Sequence, residues 1–330
     1  MVSGLQTGDV RRAPAAGAFA RTIRRYWSPR TALIWSVLII FIVVSSILEP
    51  TFREPRNLLN ILTQSAILAC VSIGQTLVIL TAGIDLSVSS VVKLSAMIGA
   101  TIMAGQDSML IPAVLAMLGI ALLTGAFNGV LVGRVGLPPF IVTFSTFFLL
   151  KGLAFVFSTS PVGRSAPILF DFYSATFYGL PLVFIPLGLL WFGAWFILRR
   201  TTYGRHVYGA GGDPKAAALA GVNVRRVQIS AYILSALLAG IAAVWIVGRN
   251  GVGDPRMGDN LEMESITAVI LGGASFFGGR GSIVGTLGGV LVLVVLGNMF
   301  NILQIDVFYQ QVLKGLVLLA AVAALRVKSS

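Results

Sequence analysis

One histidine, His206, and one cysteine, Cys70, are all that this chain of 330 residues offers of the two side chains most used for metal ligation and nucleophilic catalysis. It has no H-E-x-x-H segment and no paired-carboxylate arrangement, so hydrolytic and metal chemistry have almost nothing to stand on. His206 reads as a loop residue. Cys70 sits in an apolar run, which excludes an intramolecular disulfide and a thiolate metal site and suits a small buried hydrophobe. The stretch from Gly272 to Ser282 has the glycine spacing of a phosphate-binding loop. Gly278, however, is followed by Gly279 and Arg280 rather than by Lys and Ser or Thr, and the segment lies between two apolar runs, not after a soluble strand. The lysine that would reach the phosphates is missing.

The acidic residue with most to explain is Asp85. It interrupts two apolar runs within Ala82 to Ser90, where a carboxylate at membrane depth is costly unless paired or hydrated. Either it caps the helix that starts after it, where its charge also suits the helix dipole, or it gates or lines a solute path. Lys93, two turns on, shares a helical face with Asp85 and Ser89, so an ion pair and a snorkelling lysine are both open. Gln75, Gly83, Ser87 and Asn128 join Asp85 as candidates for the pathway or its gate.

A second polar stretch, Arg199 to Arg226, is the only long basic segment within the apolar part of the chain. Inside it, Asp213, Pro214, Lys215, Ala216, Ala217, Leu219, Ala220 and Gly221 read as a short helix. Asp213 can cap the free N–H groups, Pro214 suits the first position, and Gly221 suits a left-handed stop. Such a helix is far too short for a bilayer, which takes roughly 20 residues. Its alanine face is suited to docking against another protein; the plainer alternative is a surface loop with one helical turn.

Composition supplies the setting. At 56% hydrophobic and 11% charged, the chain departs from soluble averages of about 45–50% and 25% toward a protein whose solvent is mostly lipid. The net charge of +12 could suggest nucleic acid, but the basic residues fall into particular loops and leave no basic domain to grip phosphates. Topology explains the charge instead. Apolar runs near 32–48, 58–82, 86–104, 109–133, 140–158, 179–198, 227–248, 263–278, 283–301 and 307–325 predict about ten transmembrane helices, the eighth short enough to be broken or re-entrant. The expected fold is therefore all-α and polytopic, with broken helices.

With the N-terminus inside, 16 of the 24 lysines and arginines fall on the inner side, five on the outer and three within spans, the asymmetry expected of cytoplasmic loops. Residues 1–30 then form a cytoplasmic tail, 31–326 the membrane domain with its cytoplasmic loop 199–226, and 327–330 a second cytoplasmic tail. Mixed charge on the outer side makes Arg53, Arg249, Asp254 and Arg256 candidates for docking a partner there. Gly125, Gly129 and Gly133, and likewise Gly281, Gly285 and Gly289, fall four apart and form grooves for close helix packing, inside the subunit or between subunits. Thr76 to Leu80 is echoed by Thr267 to Leu271, each ahead of a glycine-rich break.

The chain resembles the membrane permease subunits of sugar ABC importers, of the ribose, arabinose, xylose and galactofuranose type. The resemblance runs from about Asn57 to Leu325. It is carried by Gly83-Ile84-Asp85-Leu86-Ser87, by Asn128-Gly129 through Leu137-Pro138-Pro139-Phe140, by Asp213 to Val224, and by Gly278-Gly279-Arg280-Gly281. Ala82 and Ser89 stand where that family usually has glycine, and Lys93 is an unusual charge there. The resemblance implies a non-enzymatic subunit of the bacterial inner membrane, forming a dimeric channel with an identical or paralogous partner. It also implies a separate cytoplasmic ATPase, carrying ATP and magnesium and docking around Asp213 to Gly221, and a periplasmic binding protein that delivers a pentose or hexose. No cofactor is expected on this chain. The alternatives are a stand-alone secondary transporter, which would want paired intramembrane acids or histidines where this chain has only Asp85 and Glu264, and a membrane scaffold, which would not need the capped helix.

Overall fold

The structure, a computed structural model, describes residues 29–313 together with 315, 316 and 319. The expected tails, 1–28 of the first and all of the second, and much of the run 307–325 lie outside the described residues. Helices follow in chain order: α1 Pro29–Leu48, α2 Pro55–Leu80, α3 Val88–Met103, α4 Leu110–Val130, α5 Pro139–Phe157, α6 Pro167–Ser174, α7 Phe184–Arg200, α8 Thr202–Gly212, α9 Pro214–Leu219, α10 Val224–Asn250, α11 Leu261–Leu271 and α12 Ile283–Ile302. A two-residue hairpin, Thr176–Phe177 with Leu180–Pro181, interrupts the otherwise helical order.

Among the described residues, six helical stretches are long and apolar enough to cross a membrane: Thr31–Leu48, Pro55–Leu80, Asp107–Val135, Pro139–Phe157, Val224–Asn250 and Ile283–Ile302. The apolar runs at 86–104, 179–198 and 263–278 become shorter helices, α3, α7 and α11, of 16, 17 and 11 residues. At 1.5 Å per residue α11 spans about 16 Å, half of a hydrocarbon core of roughly 30 Å. It is the broken eighth run. The segment 199–212, expected as loop, is helical: Thr201 caps α8 by accepting from the Gly204 amide at 3.2 Å, and His206 lies on that helix.

Lipid gives helices no hydrophobic reason to associate, so the bundle depends on close backbone packing. α10 runs along α2, α3 and α4, while α11 and α12 pair and lie on α2. A Cβ added at Gly125, Gly129 or Gly133 of α4 and its π-helical extension would lie within 2.9 Å of Ala236, Ile229 or Arg225 of α10. At Gly285 and Gly289 it would collide with the carbonyls of Gly272 and Ala268. Both glycine series therefore serve packing inside the subunit.

α2 and α11 stop in the same way. The amides of Ala82 and Gly83 bond the carbonyls of Ile79 and Val78 at 3.0 Å, and those of Gly273 and Ala274 bond Ile270 and Val269 at 2.9 and 3.2 Å. Each is a helix stop with one left-handed residue, Ala82 at φ +62° and Gly273 at φ +92°. The echo between Thr76–Leu80 and Thr267–Leu271 thus marks two equivalent helix ends. The loop that follows α11 reaches back to the end of α2: the Gly279 amide donates to the Leu80 carbonyl at 3.0 Å, and a Cβ on Gly211 at the end of α8 would strike that same carbonyl.

The connecting segments gather at two ends. At one, Gly133 lies against the Arg225 backbone, the Tyr208 hydroxyl donates to the Gly281 carbonyl at 3.1 Å, and Gly279 meets Gly212. At the other, Gly105 bonds the Arg164 carbonyl at 3.1 Å, Ile168 donates to the Asp107 carboxylate at 2.9 Å, and Val162 bridges to Gly253.

Candidate functional site

The break between α2 and α3 builds a buried polar cluster. With Ala82 left-handed, the chain turns back into the bundle, and Asp85 comes to rest completely buried. Its Oδ1 accepts from the Ser87 amide at 3.0 Å and the Ser87 hydroxyl at 2.6 Å, and its Oδ2 accepts from the Ser235 hydroxyl of α10 at 3.0 Å. Asn128 of α4 donates through Nδ2 to Ser87 Oγ at 2.9 Å and accepts from the Thr146 hydroxyl of α5 at 2.7 Å. The Ile84 carbonyl takes hydrogen bonds from Thr143 of α5 and Tyr232 of α10, at 3.2 and 3.3 Å.

Asp85, Ser87 and Asn128 are thus brought together, and Gly83 stands beside them, where a Cβ would lie 2.5 Å from the Tyr232 hydroxyl. Gln75 is not hydrogen-bonded into the cluster. Asp85 is not a cap of the usual kind, since it bonds the residue at the cap position, Ser87, and not the first-turn amides of α3. The cluster ties the α2–α3 break to α4, α5 and α10 through partnered groups, which makes the arrangement specific. Sequence reasoning missed Thr143, Thr146, Tyr232 and Ser235. Hydroxyls in apolar helices carry no signal by themselves because they bond equally well to their own helix.

Lys93 is 2% exposed and pairs with Asp259, Nζ to Oδ1 2.6 Å, with the Phe155 ring 5.5 Å away. An ion pair with Asp85, left open by their shared face, is not what forms.

The basic stretch folds as its punctuation predicts. Asp213 Oδ1 accepts from the amides of Lys215 and Ala216, both at 3.0 Å, Pro214 opens α9, and Gly221 at φ +84° closes it, its amide and that of Val222 bonding Ala218 and Ala217. One expectation is corrected. Ala217 is 8% exposed and turned toward Gly209 of α8, so it belongs to the bedding of α9, not to a docking face. The outward residues are Lys215, Ala216, Ala218 and Leu219, the last 91% exposed.

At the opposite end, Arg53 is exposed as the last residue of the short 3-10 turn Pro50–Arg53, and Asp254 and Arg256 share a turn in which Asp254 accepts from the Arg256 amide at 2.7 Å. Arg249, partly buried, instead lines a cleft with Asp259, Glu264, Gln64, Asn301 and Gln310. The three amides there gave no sequence signal, being isolated polar residues near the ends of apolar runs. Beside the cleft, Tyr173 of α6 donates to the Thr63 carbonyl at 2.8 Å. Burial pushes its hydroxyl up to about 12, against the opposing charge of Arg249, so it stays a donor.

Residues 57–322 match the family described as the permease component of branched-chain amino acid transport systems. The chain is 39% identical to the ribose import permease protein RbsC of Bacillus subtilis (strain 168), covering 89% of this chain and 92% of that one. It is 38% identical to the fructose import permease protein FrcC of Rhizobium meliloti, over 90% and 85% of the two chains. With the D-allose transport system permease protein AlsC of Escherichia coli (strain K12) it shares 35% identity, over 88% and 92%. No solved structure matches the chain.

Proposed function

The chain belongs to this family of transport-system permease components, and from that premise we propose that it forms the translocation path of an ATP-driven, binding-protein-dependent importer of a monosaccharide, pentose or hexose. The sugar class rests on the relatives named for ribose, fructose and allose, each similar along most of its length. It is a multi-pass membrane protein. We place it in the bacterial inner membrane with about ten crossings, α3, α7, α11 and the apolar run 307–325 completing the set, and both termini cytoplasmic. The arginine-rich segments at one end of the bundle support that orientation.

The observation that carries the importer reading is α9. It is capped at both ends, bedded on α8 through Ala217, and presents Leu219 beside Lys215 and Ala216 at the basic end, yet it is too short to cross the membrane. A separate ATPase, holding ATP and magnesium, engages that face. A sugar-binding protein docks at the other end, near Arg53, Asp254 and Arg256, and a second permease subunit, identical or paralogous, completes the channel. A stand-alone secondary transporter has less support, because Asp85 is engaged by Ser87 and Ser235 rather than poised beside a second acid.

The test is purification in mild detergent with identification of the attached proteins, followed by sugar uptake in reconstituted vesicles. Recovery of the permease alone, without a nucleotide-binding partner, would overturn the reading. Orientation is checked with a membrane-impermeant thiol reagent, which should reach a cysteine at Ser174 from outside and one at Leu219 only from inside. Both positions are exposed, whereas Ala210 in the same basic segment is fully buried and would not report.

A further inference from the structure

Three stripes divide the surface of α5. Val142, Thr143, Thr146, Leu150 and Ala154 are buried in the bundle. Ile141, Leu149, Leu153 and Val156 make an exposed aliphatic face that suits lipid tails. On the flank between these two, within about 100° of arc at 3.6 residues per turn, fall Phe140, Phe144, Phe147, Phe148, Phe155 and a single charge, Lys151. The rings form a ladder: Phe140 and Phe144 stack with centroids 5.3 Å apart, Phe144 meets Phe148 edge to face at 4.8 Å, and Phe148 meets Phe147 in the same way at 5.2 Å. Phe140, Phe144 and Phe148 are exposed on the subunit.

The direction of Lys151 decides what covers this stripe. Its Nζ lies 5.3 Å from the centroid of the Phe147 ring, one turn toward the basic end of the bundle and near the middle of the helix Pro139–Phe157. The nearer water is the other way, about 9 Å along the axis from Lys151 to Phe157, so the ammonium points into the span and does not snorkel out of it. Lys151 is half-buried and forms no ion pair among the described residues, whereas Lys93, 5.5 Å from the Phe155 ring one turn farther out, is neutralised by Asp259. An unpaired ammonium at that depth belongs against a water-filled space, because hydrocarbon cannot solvate it. The stripe is open on the single subunit, so the far wall of that space is another chain. With an identical partner, a two-fold axis along the membrane normal sets the same patch on both sides, and two facing ammonium groups exclude a dry seam.

We propose that the stripe of α5 from Phe140 to Phe155 walls the monosaccharide's path where the two permease subunits face each other, and that Lys151 is the residue on it that binds the sugar's hydroxyls. This rests on the importer reading above, its second subunit included. A sugar ring carries C–H faces that lie flat on aromatic rings and a rim of hydroxyls that lose water as they leave solvent. The phenylalanine ladder receives the faces at each turn of the helix. The ammonium of Lys151, with three N–H donors and no acceptor, receives the hydroxyl oxygens midway. The wall is held from behind, since Thr143 and Thr146 on the buried stripe bond the Ile84 carbonyl and Asn128 of the Asp85 cluster.

The experiment uses the full chain reconstituted with its associated ATPase and binding protein, and measures uptake of labelled D-ribose, D-allose, D-fructose and L-arabinose by the unaltered complex. With the sugar that is carried, Lys151→Met, which keeps the stem and removes the donors, should lower uptake about tenfold, the scale of one lost charge-assisted hydrogen bond. Its thermal stability and ATPase association should hold or improve, and Lys151→Arg, which keeps donors at that place, should retain most of the uptake. A second measurement leaves Lys151 untouched. Phe148 and Leu149 lie at nearly one depth and are similarly exposed, on the aromatic and the aliphatic face, and the single native cysteine, Cys70, is completely buried. A hydrophilic thiol reagent should modify Phe148→Cys about tenfold faster than Leu149→Cys, and an excess of the carried sugar should slow the first alone. Undiminished uptake in Lys151→Met, equal labelling of the two cysteines, or labelling of Phe148→Cys indifferent to sugar overturns the path. Absence of uptake by the unaltered complex with every sugar would instead overturn the importer reading on which it rests.

Discussion

Lys93, inside α3, and Asp259, 166 residues later in the segment before α11, form a 2.6 Å ion pair in which the lysine is buried and the aspartate half exposed. The pair pins the connection ahead of the broken helix α11 to the helix that follows the Asp85 break. Asp259→Ala strands a buried ammonium and should destabilise the protein by about 2 kcal/mol, less than the 3–5 kcal/mol of a fully buried pair because water reaches Asp259. Lys93→Met removes the charge while keeping the stem and should stay within about 1 kcal/mol of the parent. Thermal unfolding in detergent decides it; an Asp259→Ala protein no less stable than Lys93→Met would show that the pair holds nothing.

At Asp85 the geometry separates shape from charge. In Asp85→Asn, the amide oxygen can still accept from Ser87, and the NH₂ group can donate to Ser235, whose hydroxyl can reverse. That variant should fold normally and retain most uptake. Asp85→Ala leaves Ser87 and Ser235 without their shared acceptor and should cost about 3 kcal/mol with loss of uptake. Loss of uptake in a well-folded Asp85→Asn protein would instead assign the negative charge a part in gating.

The bedding of α9 predicts a contrast between neighbours. Leu219→Arg puts a charge on the exposed face, and should abolish ATPase association while leaving thermal stability within about 0.5 kcal/mol. Ala217→Arg forces a long side chain between α9 and α8 and should lower stability as well as association. Equal stability of the two variants, measured by detergent unfolding, would contradict the orientation given to α9.

Ala82 carries a left-handed backbone with a Cβ, which costs roughly 1–2 kcal/mol relative to glycine. Ala82→Gly should therefore raise stability by about 1 kcal/mol, read as a higher midpoint of thermal unfolding. Gly83→Ala should do the reverse, because its methyl would meet the Tyr232 hydroxyl.

Much of this was legible in the residues because it depends on local chemistry. Asp213, Pro214 and Gly221 each suit one position of a short helix and no other, and the structure places them there. Glycines four apart announce close packing wherever they occur. The apolar runs marked most helices and singled out the eighth as short enough to be broken, but not that 202–212 is helical, where Gly211 packs against the end of α2. What could not be read were long-range partners. Lys93 has Asp85 near it in sequence and Asp259 near it in space, and only the fold chooses. The inward turn of Ala217 was equally hidden, because one face of a six-residue alanine-rich helix looks like another.

The joint where Gly279 bonds the Leu80 carbonyl, with Gly211 pressed on the same atom, is made of bare backbone. A contact between side chains can absorb a push by changing rotamers; one between peptide planes has no such slack. Displacement of α9 and α8 should therefore arrive at the end of α2 and at the glycine-rich loop ahead of α12 together and nearly undiminished. It behaves as a clutch with no free play, and even a methyl group added at Gly211 would act as a wedge that holds it open.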